Sequence, residues 1–560
     1  MAALNTTIDL HSATINEAAL IGKGTFVSSG STVMTGGSNA STLQVTNGSS
    51  LTLAGLITNT GKIELGASGN TTKLLISGDV TVVGGTISMS NNANNVIEGA
   101  STGNEVLTNE GTIEGSGNIG NGFMGLVNTR TIVANQSTPL TIDASSAGFS
   151  NSSGTKNGTL QVNQNDTLNI VGAFNNFSGT TLTGGIYSVA GTLEFTGADI
   201  VTNAASITLT GSGSKILNSS NSADALASSF AVNTSKGSFT LAGGRNFTTP
   251  GNFSNAGKMT ISSGSTFTVG GTNGYKQTAG TTIVSGTLAV TSPGGVDVSG
   301  GSVFGTGTIT GNIDLTGGLL SPGAASKKAG ELTVKGTYAQ SGAGVFDVDL
   351  GGTTAGTQYD VLNITSTAML GGVLNVDLIS GFTPAAGDTF TIMDYSSEMG
   401  TFSTTHLPTV TGDHWTITYN AMDVVLTLVA GPVPAAGASP SAKGPVNGSA
   451  TRVSRNTGAP RVSAHEPVAI LSRVSCFGAR LVRPAACGGA SVATVGTAVH
   501  AAIFAGSGSV AIHNNVMVAT RSLSAGRGLS HETSASATAM ARLYVCAYLP
   551  SSVTHTMGCN

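Results

Sequence analysis

A short run of alternating apolar and polar residues, closed by a turn rich in Gly, Asn or Ser, recurs along most of this chain. Clear examples are STLQVTNGSSLTLAG at 41–55, GTLQVNQNDTLNIVG at 158–172 and GKMTISSGSTFTVGG at 257–271. Alternate residues of a strand point to opposite faces, so Leu51 and Leu53 share an apolar face while Thr52 points away from it. The pattern predicts strands of about four or five residues, separated by short turns, through residue 318.

The number of these runs decides between the all-β architectures. No segment of useful length has the helical period, which leaves a sandwich, a barrel or a solenoid. A sandwich rarely exceeds about 250 residues, whereas similar units can stack without such a limit. We therefore predict an all-β fold, a right-handed parallel β-helix (β-solenoid), with a C-terminal β cap and a poorly structured tail.

Composition supports an ordered chain with an unusual surface and core. Charged residues make up only 9% of the 560 residues and Gly makes up 80 of them, whereas ordinary soluble domains have about 25% charged residues. Ser, Thr and Asn are expected to replace charges at the surface, and a hydrophobic content of 39% argues against disorder. Aromatic residues make up 5% and Trp415 is the only Trp, so we expect stacked aliphatic side chains, not interlocking rings, to fill the core.

An N-x-G-x-aliphatic frame recurs imperfectly, beginning at Asn59, Asn109 and Asn255, and at Asn128 without the Gly. The 19-residue step from Asn109 to Asn128 suits one β-helix coil of three strands and three turns. Asn and Gly are the residues that a left-handed corner favours. The alternative is that any Asn- and Gly-rich sequence yields such matches.

Composition also divides the chain. Residues 1–432 hold 13 Lys and Arg against 25 Asp and Glu, whereas residues 433–560 hold 10 against 2. We predict β-helix repeats at 1–318, C-terminal coils and a cap at 319–430, a linker at 431–448 and a basic tail at 449–560. All the cysteines (Cys476, Cys487, Cys546 and Cys559) lie in the tail, which is either an out-of-frame translation or a small basic module with two disulfides.

The stretch LLSPGAASKKAGELTVKGTYAQ, followed by YDVLNITSTAMLGGVLNVDLISGFTPAAGDTFTIMDY, resembles the passenger regions of bacterial autotransporters and related large exoproteins with β-strand repeats. The resemblance covers about 100 residues; the preceding repeats share only the style. It implies export, display at the cell surface or outer membrane, and a β-helical stalk used in adhesion. Such proteins often end in a β-barrel translocator or a sorting signal, and neither is recognisable here.

Other sequence features bear on location and partners. The N-terminus MAALNTTIDLHSATINEAAL has no recognisable signal peptide, and we interpret it as a truncated or misassigned start. No apolar run reaches 18 residues, so no transmembrane helix is expected. A body without cysteine fits export, and its acidic charge gives no basic face for nucleic acid.

Candidate sites are few, and no catalytic or cofactor-binding residue is assigned. Asp347 and Asp349 share a strand face in FDVDLGG and are candidate calcium ligands, together with an Asp or Asn of a neighbouring coil. The favoured interpretation is that these two, like Asp360, Asp377 and Asp388, are solvated acids. His406 and His414, together with Asp413, offer a still weaker metal site.

The expected function is therefore that of a secreted or cell-surface structural protein, adhesin-like and not an enzyme. It would bind a host or neighbouring-cell surface, or a polysaccharide, by extended contact. The alternative is a carbohydrate-active β-helix enzyme, a polysaccharide lyase or hydrolase. Three or more acids or bases on adjacent coils in one groove would favour the enzyme, and dispersed acids would exclude it.

Overall fold

The computed structural model describes residues 1, 6–101, 103–291 and 293–431, and the backbone of three short strands at 510–513, 516–519 and 542–544. The chain divides into two compact units, Met1–Lys443 and Gly444–Asn560. The described residues form strands, turns and bends and contain no helix. The strands of the first unit lie mainly in sheets of 41 and 9 strands, and most of their pairings are parallel. The all-β prediction is confirmed.

The parallel strands form three columns, and, apart from one interruption in the second column and one in the third, each strand pairs with the strand that follows it in the same column. The first column comprises β1 (Thr7–Asp9), β4 (Thr25–Ser28), β7 (Thr42–Val45), β9 (Lys62–Leu65), β10 (Thr72–Met89), β12 (Val106–Gly115), β15 (Thr131–Ala134), β20 (Thr159–Val162), β23 (Thr181–Val189), β25 (Thr202–Thr210), β29 (Ser238–Ala242), β32 (Lys258–Ile261), β35 (Thr281–Val284), β38 (Ser302–Gly305), β41 (Leu319–Pro322), β44 (Val345–Leu350), β47 (Val373–Leu378) and β50 (Thr404–His406).

The second column is interrupted once and continues as the separate nine-stranded sheet. Besides part of β10, it comprises β2 (Thr14–Asn16), β5 (Ser31–Thr35), β8 (Ser50–Asn59), β11 (Asn95–Gly99), β13 (Gly117–Gly120), β16 (Leu140–Ile142), β21 (Thr167–Ile170), β24 (Thr192–Phe195) and β26 (Lys215–Asn218), then β30 (Asn246–Thr249), β33 (Thr266–Val269), β36 (Thr287–Ala289), β39 (Thr308–Thr310), β42 (Glu331–Lys335), β45 (Val361–Ile364) and β48 (Thr389–Asp394).

The third column shares the long strands β8, β10, β12, β23 and β25 with the other two. Its own strands are β3 (Ala19–Leu20), β6 (Ser38–Asn39), β14 (Gly125–Asn128), β17 (Phe149–Ser150), β28 (Val232–Asn233), β31 (Phe253–Asn255), β34 (Tyr275–Gln277), β37 (Val296–Val298), β40 (Ile313–Leu315), β43 (Tyr338–Gln340), β46 (Thr367–Leu370) and β49 (Ser397–Gly400).

The chain visits the first, second and third columns in that order, again and again. Strand β10 is long enough to contribute to all three: Lys73–Ser77 pair in the second column, Val80–Val83 in the third and Thr86–Met89 in the first. We call one passage through the three columns a repeat unit. Asn109 and Asn128 are register partners in the third column, so the predicted 19-residue step between them is one such unit.

A few short strands pair antiparallel beside the columns. They are β18 (Ser152–Ser153) with β19 (Lys156–Asn157), β22 (Phe177–Ser178) with β23, and β27 (Ala223–Asp224) with β26. The described part of the tail is a three-stranded antiparallel sheet of β53 (Val510–His513), β54 (Val516–Ala519) and β55 (Arg542–Tyr544). The predicted linker at 431–448, apart from residue 431, and the four cysteines lie outside the described residues.

Near residue 430 the pairing changes. Parallel pairing of the first column continues to β50, but β48 pairs antiparallel with β52 (Asp423–Ala430), which in turn pairs antiparallel with β51 (Asp413–Tyr419). On β51 the Trp415 ring lies 5.8 Å from Phe390, centroid to centroid. The Trp415 indole N–H donates to the carbonyl oxygen of Pro408 at 2.9 Å. These last strands therefore extend the core with aromatic side chains.

One hydrophobic cluster runs from Ile15 to Leu426 and includes side chains of all three columns. Its basis is the alternation along each strand: Leu43 and Val45 are fully buried, whereas Thr42 and Gln44, which alternate with them, are partly exposed. Because the partners are in register, each buried side chain lies over another of the next unit. The packing therefore follows from strand register.

Asparagines of the recurring frame line the inside of the third column. Asn109 Nδ2 donates to Asn128 Oδ1 at 2.7 Å, and Asn128 Nδ2 donates to Asn151 Oδ1 at 2.8 Å. A second series joins Asn203, Asn233, Asn255 and Gln277, with amide separations of 2.9, 2.8 and 2.9 Å. These side chains are almost completely buried, and each amide satisfies the next.

The same amides also hold the turn that follows them. The Gly111 N–H donates to Asn109 Oδ1 at 3.1 Å, and the Gly257 N–H donates to Asn255 Oδ1 at 3.2 Å. The expectation of a left-handed corner is wrong for this frame, because neither these Asn nor these Gly have positive φ. Gly is needed for space: a Cβ on Gly257 would lie 2.2 Å from the carbonyl oxygen of Gly237.

Besides the C-terminal group around Phe390, aromatic rings occupy two further stretches of the core, which corrects the expectation of purely aliphatic packing. Phe239, Phe253 and Phe267 are fully buried, and the rings of Phe253 and Phe267 lie 5.0 Å apart in an edge-to-face arrangement. A second group surrounds Phe174, whose ring stacks on Phe149 at 5.5 Å. The small aromatic content is concentrated in a few units, so overall composition did not reveal it.

The amide series generates a stability prediction. Asn255→Ala leaves the buried Gly257 N–H without its acceptor and removes one hydrogen bond each from the Asn233 and Gln277 amides, which keep their other partners. An unsatisfied buried group costs about 1–3 kcal/mol, so the urea midpoint of the chain, followed by circular dichroism, should fall clearly. Asn273→Ala, at an exposed turn nearby, is the matched control and should leave the midpoint almost unchanged. Equal effects of the two substitutions would contradict the role given to the amide series.

Candidate functional site

The two aspartates of the FDVDLGG motif lie on strand β44 at 347 and 349. Phe346 and Val348, which alternate with them, point into the core and are fully buried, so the carboxylates are on the outer face of the strand. Nevertheless Asp347 is only 6% exposed and Asp349 is 0% exposed. Other residues of the chain must therefore cover the outer face of β44 at these two positions.

The cover includes residues 323–330 (GAASKKAG), which we call the strap. It connects β41 to β42, and a hydrogen bond fixes each end: the Gly323 N–H donates to the carbonyl oxygen of Gly305 at 2.8 Å, and the Gly330 N–H donates to the side-chain Oδ1 of Asp360 at 2.7 Å. The ends also approach each other closely, since a Cβ on Gly330 would lie 2.5 Å from the Gly323 Cα. The strap is a compact loop of the Ω type.

The next strand of the column completes the polar cluster. In the register of β44 and β47, Asn375 is opposite Asp347 and Asp377 is opposite Asp349. Asn375 Nδ2 donates to Asp347 Oδ1 at 2.5 Å and to Asp377 Oδ2 at 3.3 Å. Register thus brings three carboxylates of adjacent units together.

Lys327 supplies the positive charge of this cluster. From the strap, its Nζ contacts Asp377 Oδ2 directly and lies 3.8 Å from Asp349 Oδ1. Burial disfavours the lysine charge, but the hydrogen bond to Asp377 and the surrounding negative charges prevail and raise the pKa of Lys327. The backbone of Lys327 has a φ of 62°, an uncommon conformation for a residue with a side chain.

The pKa values of the two buried carboxylates are higher than that of an exposed aspartate. Burial raises the pKa of Asp347 and of Asp349, and the charge of Asp347 adds to the effect at Asp349. Lys327 lowers both pKa values but does not overcome burial. The protonated forms are thus favoured more than in water.

Asp360 lies beneath the strap and has a structural role. It is 0% exposed, and its two carboxylate oxygens accept the N–H of Gly330 at 2.7 Å and the N–H of Asp349 at 3.0 Å. Burial raises the pKa of Asp360 to about 8, although these backbone hydrogen bonds lower it. The side chain therefore joins the end of the strap to strand β44.

The prediction that these acids are solvated is wrong for Asp347, Asp349 and Asp360, because strap and neighbouring loops bury outward positions of the first column. It fits Asp377, whose side chain is 41% exposed. It also fits Asp388, which accepts the N–H of Ala385 at 2.8 Å in a surface turn. The acids are therefore not all dispersed: three of them meet one lysine on adjacent units.

No metal centre is formed as the side chains stand. Among the described residues, no group of three or more His, Cys, Asp or Glu is arranged to hold a metal ion. His406 and His414 do not form the pair considered from the sequence; His414 Nδ1 lies 2.7 Å from the carbonyl oxygen of Gly431. The calcium candidates Asp347 and Asp349 are instead paired with Asn375 and Lys327.

Two cavities adjoin the strap. One, of about 360 Å³, lies between Lys327, Lys328 and the segment around Gln358 and Ile379. The other, of about 470 Å³, is bordered by Ala325, Ile283, Phe304 and Lys258. The strap therefore separates a polar recess near the acids from a more apolar one.

Sequence reasoning identified Asp347 and Asp349 but missed Lys327, Asn375 and the strap. The available signal was an insertion: GAASKKAG lengthens the connection between two short strands and carries two adjacent lysines. Tertiary contacts determine where such an insertion packs on the sheets, and strand periodicity does not reveal that position.

Comparison with protein-family models and with curated proteins gives no match. Within the residues that the structure describes, no helix is long and apolar enough to cross a membrane.

Burial of Asp360 predicts a pH dependence. Its pKa of about 8 lies above the unfolded value of 3.8, so the folded chain holds the proton more tightly. The stability that this proton contributes is complete below about pH 4 and is lost as the pH rises through 8. The thermal midpoint should therefore fall between pH 4 and 8, and Asp360→Asn should flatten this fall. Asp388→Asn is the control and should preserve this fall. If Asp360→Asn leaves the pH dependence of the thermal midpoint unchanged, the raised pKa of Asp360 is refuted.

Proposed function

We propose that the described body of the first unit is a right-handed parallel β-solenoid. The support is the order in which the chain visits three parallel columns, one repeat unit after another, with a single core between them. Connections between parallel strands of one sheet are right-handed in about 98% of cases, which gives the proposed hand. Each unit then adds about 4.8 Å to the stack.

We further propose that this solenoid is an exported, adhesin-like structural protein that acts by extended contact. The observation that carries the proposal is its repeated outer surface: in-register rows present Thr, Ser, Gln and Glu side chains from one unit to the next, as in the row of Gln44, Glu64 and Ser88. A row of similar polar groups can make many weak contacts at once with a polysaccharide or a cell surface. The resemblance to autotransporter passengers supports secretion or surface display.

A carbohydrate-active enzyme is the second candidate, and the cluster under the strap favours it. Asp347, Asp349 and Asp377 lie on adjacent units beside Lys327, which is the arrangement such an enzyme needs. However, Asp347 and Asp349 are 6% and 0% exposed, so a polysaccharide cannot contact their carboxylates while the strap is in place. We therefore rank structural adhesion first.

The repeat architecture can be tested by removing whole units. Deleting residues 62–111 joins Asn59-Thr60-Gly61 to Thr112-Ile113 and restores the frame around Asn109. In the first column Lys62, Thr86 and Thr112 are successive register partners, so every side chain that remains in the shortened chain keeps its inward or outward orientation. We expect it to fold with a similar β-sheet circular dichroism spectrum per residue and a cooperative melt.

The control deletion removes residues 62–112, one residue more. It shifts the register by one position and turns Ile113 and its neighbours toward solvent, so this chain should aggregate or melt at a much lower temperature. Equal behaviour of the two deletions would contradict the solenoid.

The same full-length and 62–111-deleted chains test the function. Both are immobilised and exposed to a panel of polysaccharides and to bacterial or host cells, while release of reducing ends is followed. Extended contact predicts slower dissociation from the full-length chain than from the shortened one, and no release of reducing ends. The enzyme candidate instead predicts release of reducing ends that Asp349→Asn abolishes and that the distant deletion leaves intact. Retention on no surface would overturn the adhesion proposal.

A further inference from the structure

The Asp349 carboxylate requires an explanation that the solenoid does not give. The residue is 0% exposed, and neither carboxylate oxygen accepts a well-formed hydrogen bond in the described residues, although the Lys327 backbone lies close enough to lower its pKa. Its nearest cation is Lys327, whose Nζ is 3.8 Å from Asp349 Oδ1, beyond hydrogen-bonding distance. A buried carboxylate is costly unless it is paired and hydrogen-bonded.

The charges around it do not balance either. Asp347, Asp349 and Asp377 bring three carboxylates to one patch of two adjacent strands, against the single ammonium of Lys327. Asp347 and Asp377 both use an oxygen to accept from the Asn375 amide, which is neutral. The patch can therefore accept further positive charge.

We propose that the Asp347–Asp349–Asp377 cluster binds a hard divalent cation of the calcium class, in competition with the ammonium of Lys327. Calcium is bound by six to eight oxygens in a flexible arrangement that accepts carboxylates, amide carbonyls and water. The three carboxylates supply the charge, and the Asn375 amide, whose Nδ2 now donates to Asp347 and Asp377, would turn its oxygen to the ion. Lys327 now takes the position of the ion, which accounts for the absence of a ready metal geometry among these acids.

The strap makes the exchange feasible. The Lys327 side chain is 55% exposed, so it can turn into solvent without opening the core. The strap ends stay fixed by Gly305 and Asp360, neither of which belongs to the ion site. Mg²⁺ should bind more weakly, because it demands a near-ideal octahedron and gives up its water reluctantly.

The test uses the full chain, freed of metal with a chelator and then titrated with CaCl₂ or MgCl₂ by isothermal calorimetry. We expect one calcium ion per chain at this site and a thermal midpoint that rises with calcium. Lys327→Met removes the competitor and should tighten calcium binding at least tenfold. Lys328→Met, at the neighbouring strap residue, is the matched control and should bind calcium like the wild-type chain.

Carboxylate variants complete the test. Asp349→Asn should abolish the binding; because its side chain is buried, folding is checked by circular dichroism. The Asp377 side chain is 41% exposed. Asp377→Asn should therefore weaken calcium binding at least tenfold without affecting folding. If Lys327 is only a structural ion pair, Lys327→Met will lower the thermal midpoint equally at every calcium concentration. That result, or calcium binding unaffected by Asp377→Asn, would overturn the proposal.

Discussion

In-register parallel pairing between successive repeat units is the constraint on which the rest of this structure depends. Because side chains alternate along a strand, a slip of one residue would turn every inward residue outward. The buried amides make the requirement stricter: Asn109 satisfies Asn128 only if the two lie at the same position of adjacent units. Aliphatic stacking tolerates small displacements, whereas hydrogen bonds between buried amides do not. The asparagines thus help to fix the register from inside the core.

The outward side chains can vary from unit to unit because neither core packing nor the buried amides restrict them. Polar side chains of the first column remain partly exposed in most units, but near β44 the strap covers them and creates a buried, charged environment. The resulting cluster is held by strand register on one side and by the Gly330 to Asp360 hydrogen bond on the other. A repeated scaffold has acquired a local, non-repeated site where one connection is longer. Repeat proteins usually vary in this way, because insertions map to loops on one face of the stacked units.

The all-β class, the short alternating strands and the unit length between Asn109 and Asn128 could be predicted from sequence because they reflect local periodicity. The hydrogen bonding between buried asparagine side chains could not be predicted in this way. The Asn109 amide donates to a residue 19 positions away, and its backbone φ is ordinary. Asp349 was recognised as a candidate ligand, but its burial depends on how the strap folds over it. The aromatic stretch around Phe253 was missed because average composition hides local concentration. Autotransporter-like export remains a prediction.

The central claim, that the units stack with one strand spacing per unit, is tested most directly by distances between spin labels along a row of the outer face. Successive register partners in the first column are Ser88, Glu114, Val133, Gln161, Ser188, Thr208, Thr240 and Thr260. In a full chain whose four cysteines are replaced by serine, labels at 88 and 208 should be about 24 Å apart and labels at 88 and 260 about 34 Å apart. An increase of about 10 Å between the two pairs is the predicted result. Two equal distances, or a shorter second one, would contradict the stack.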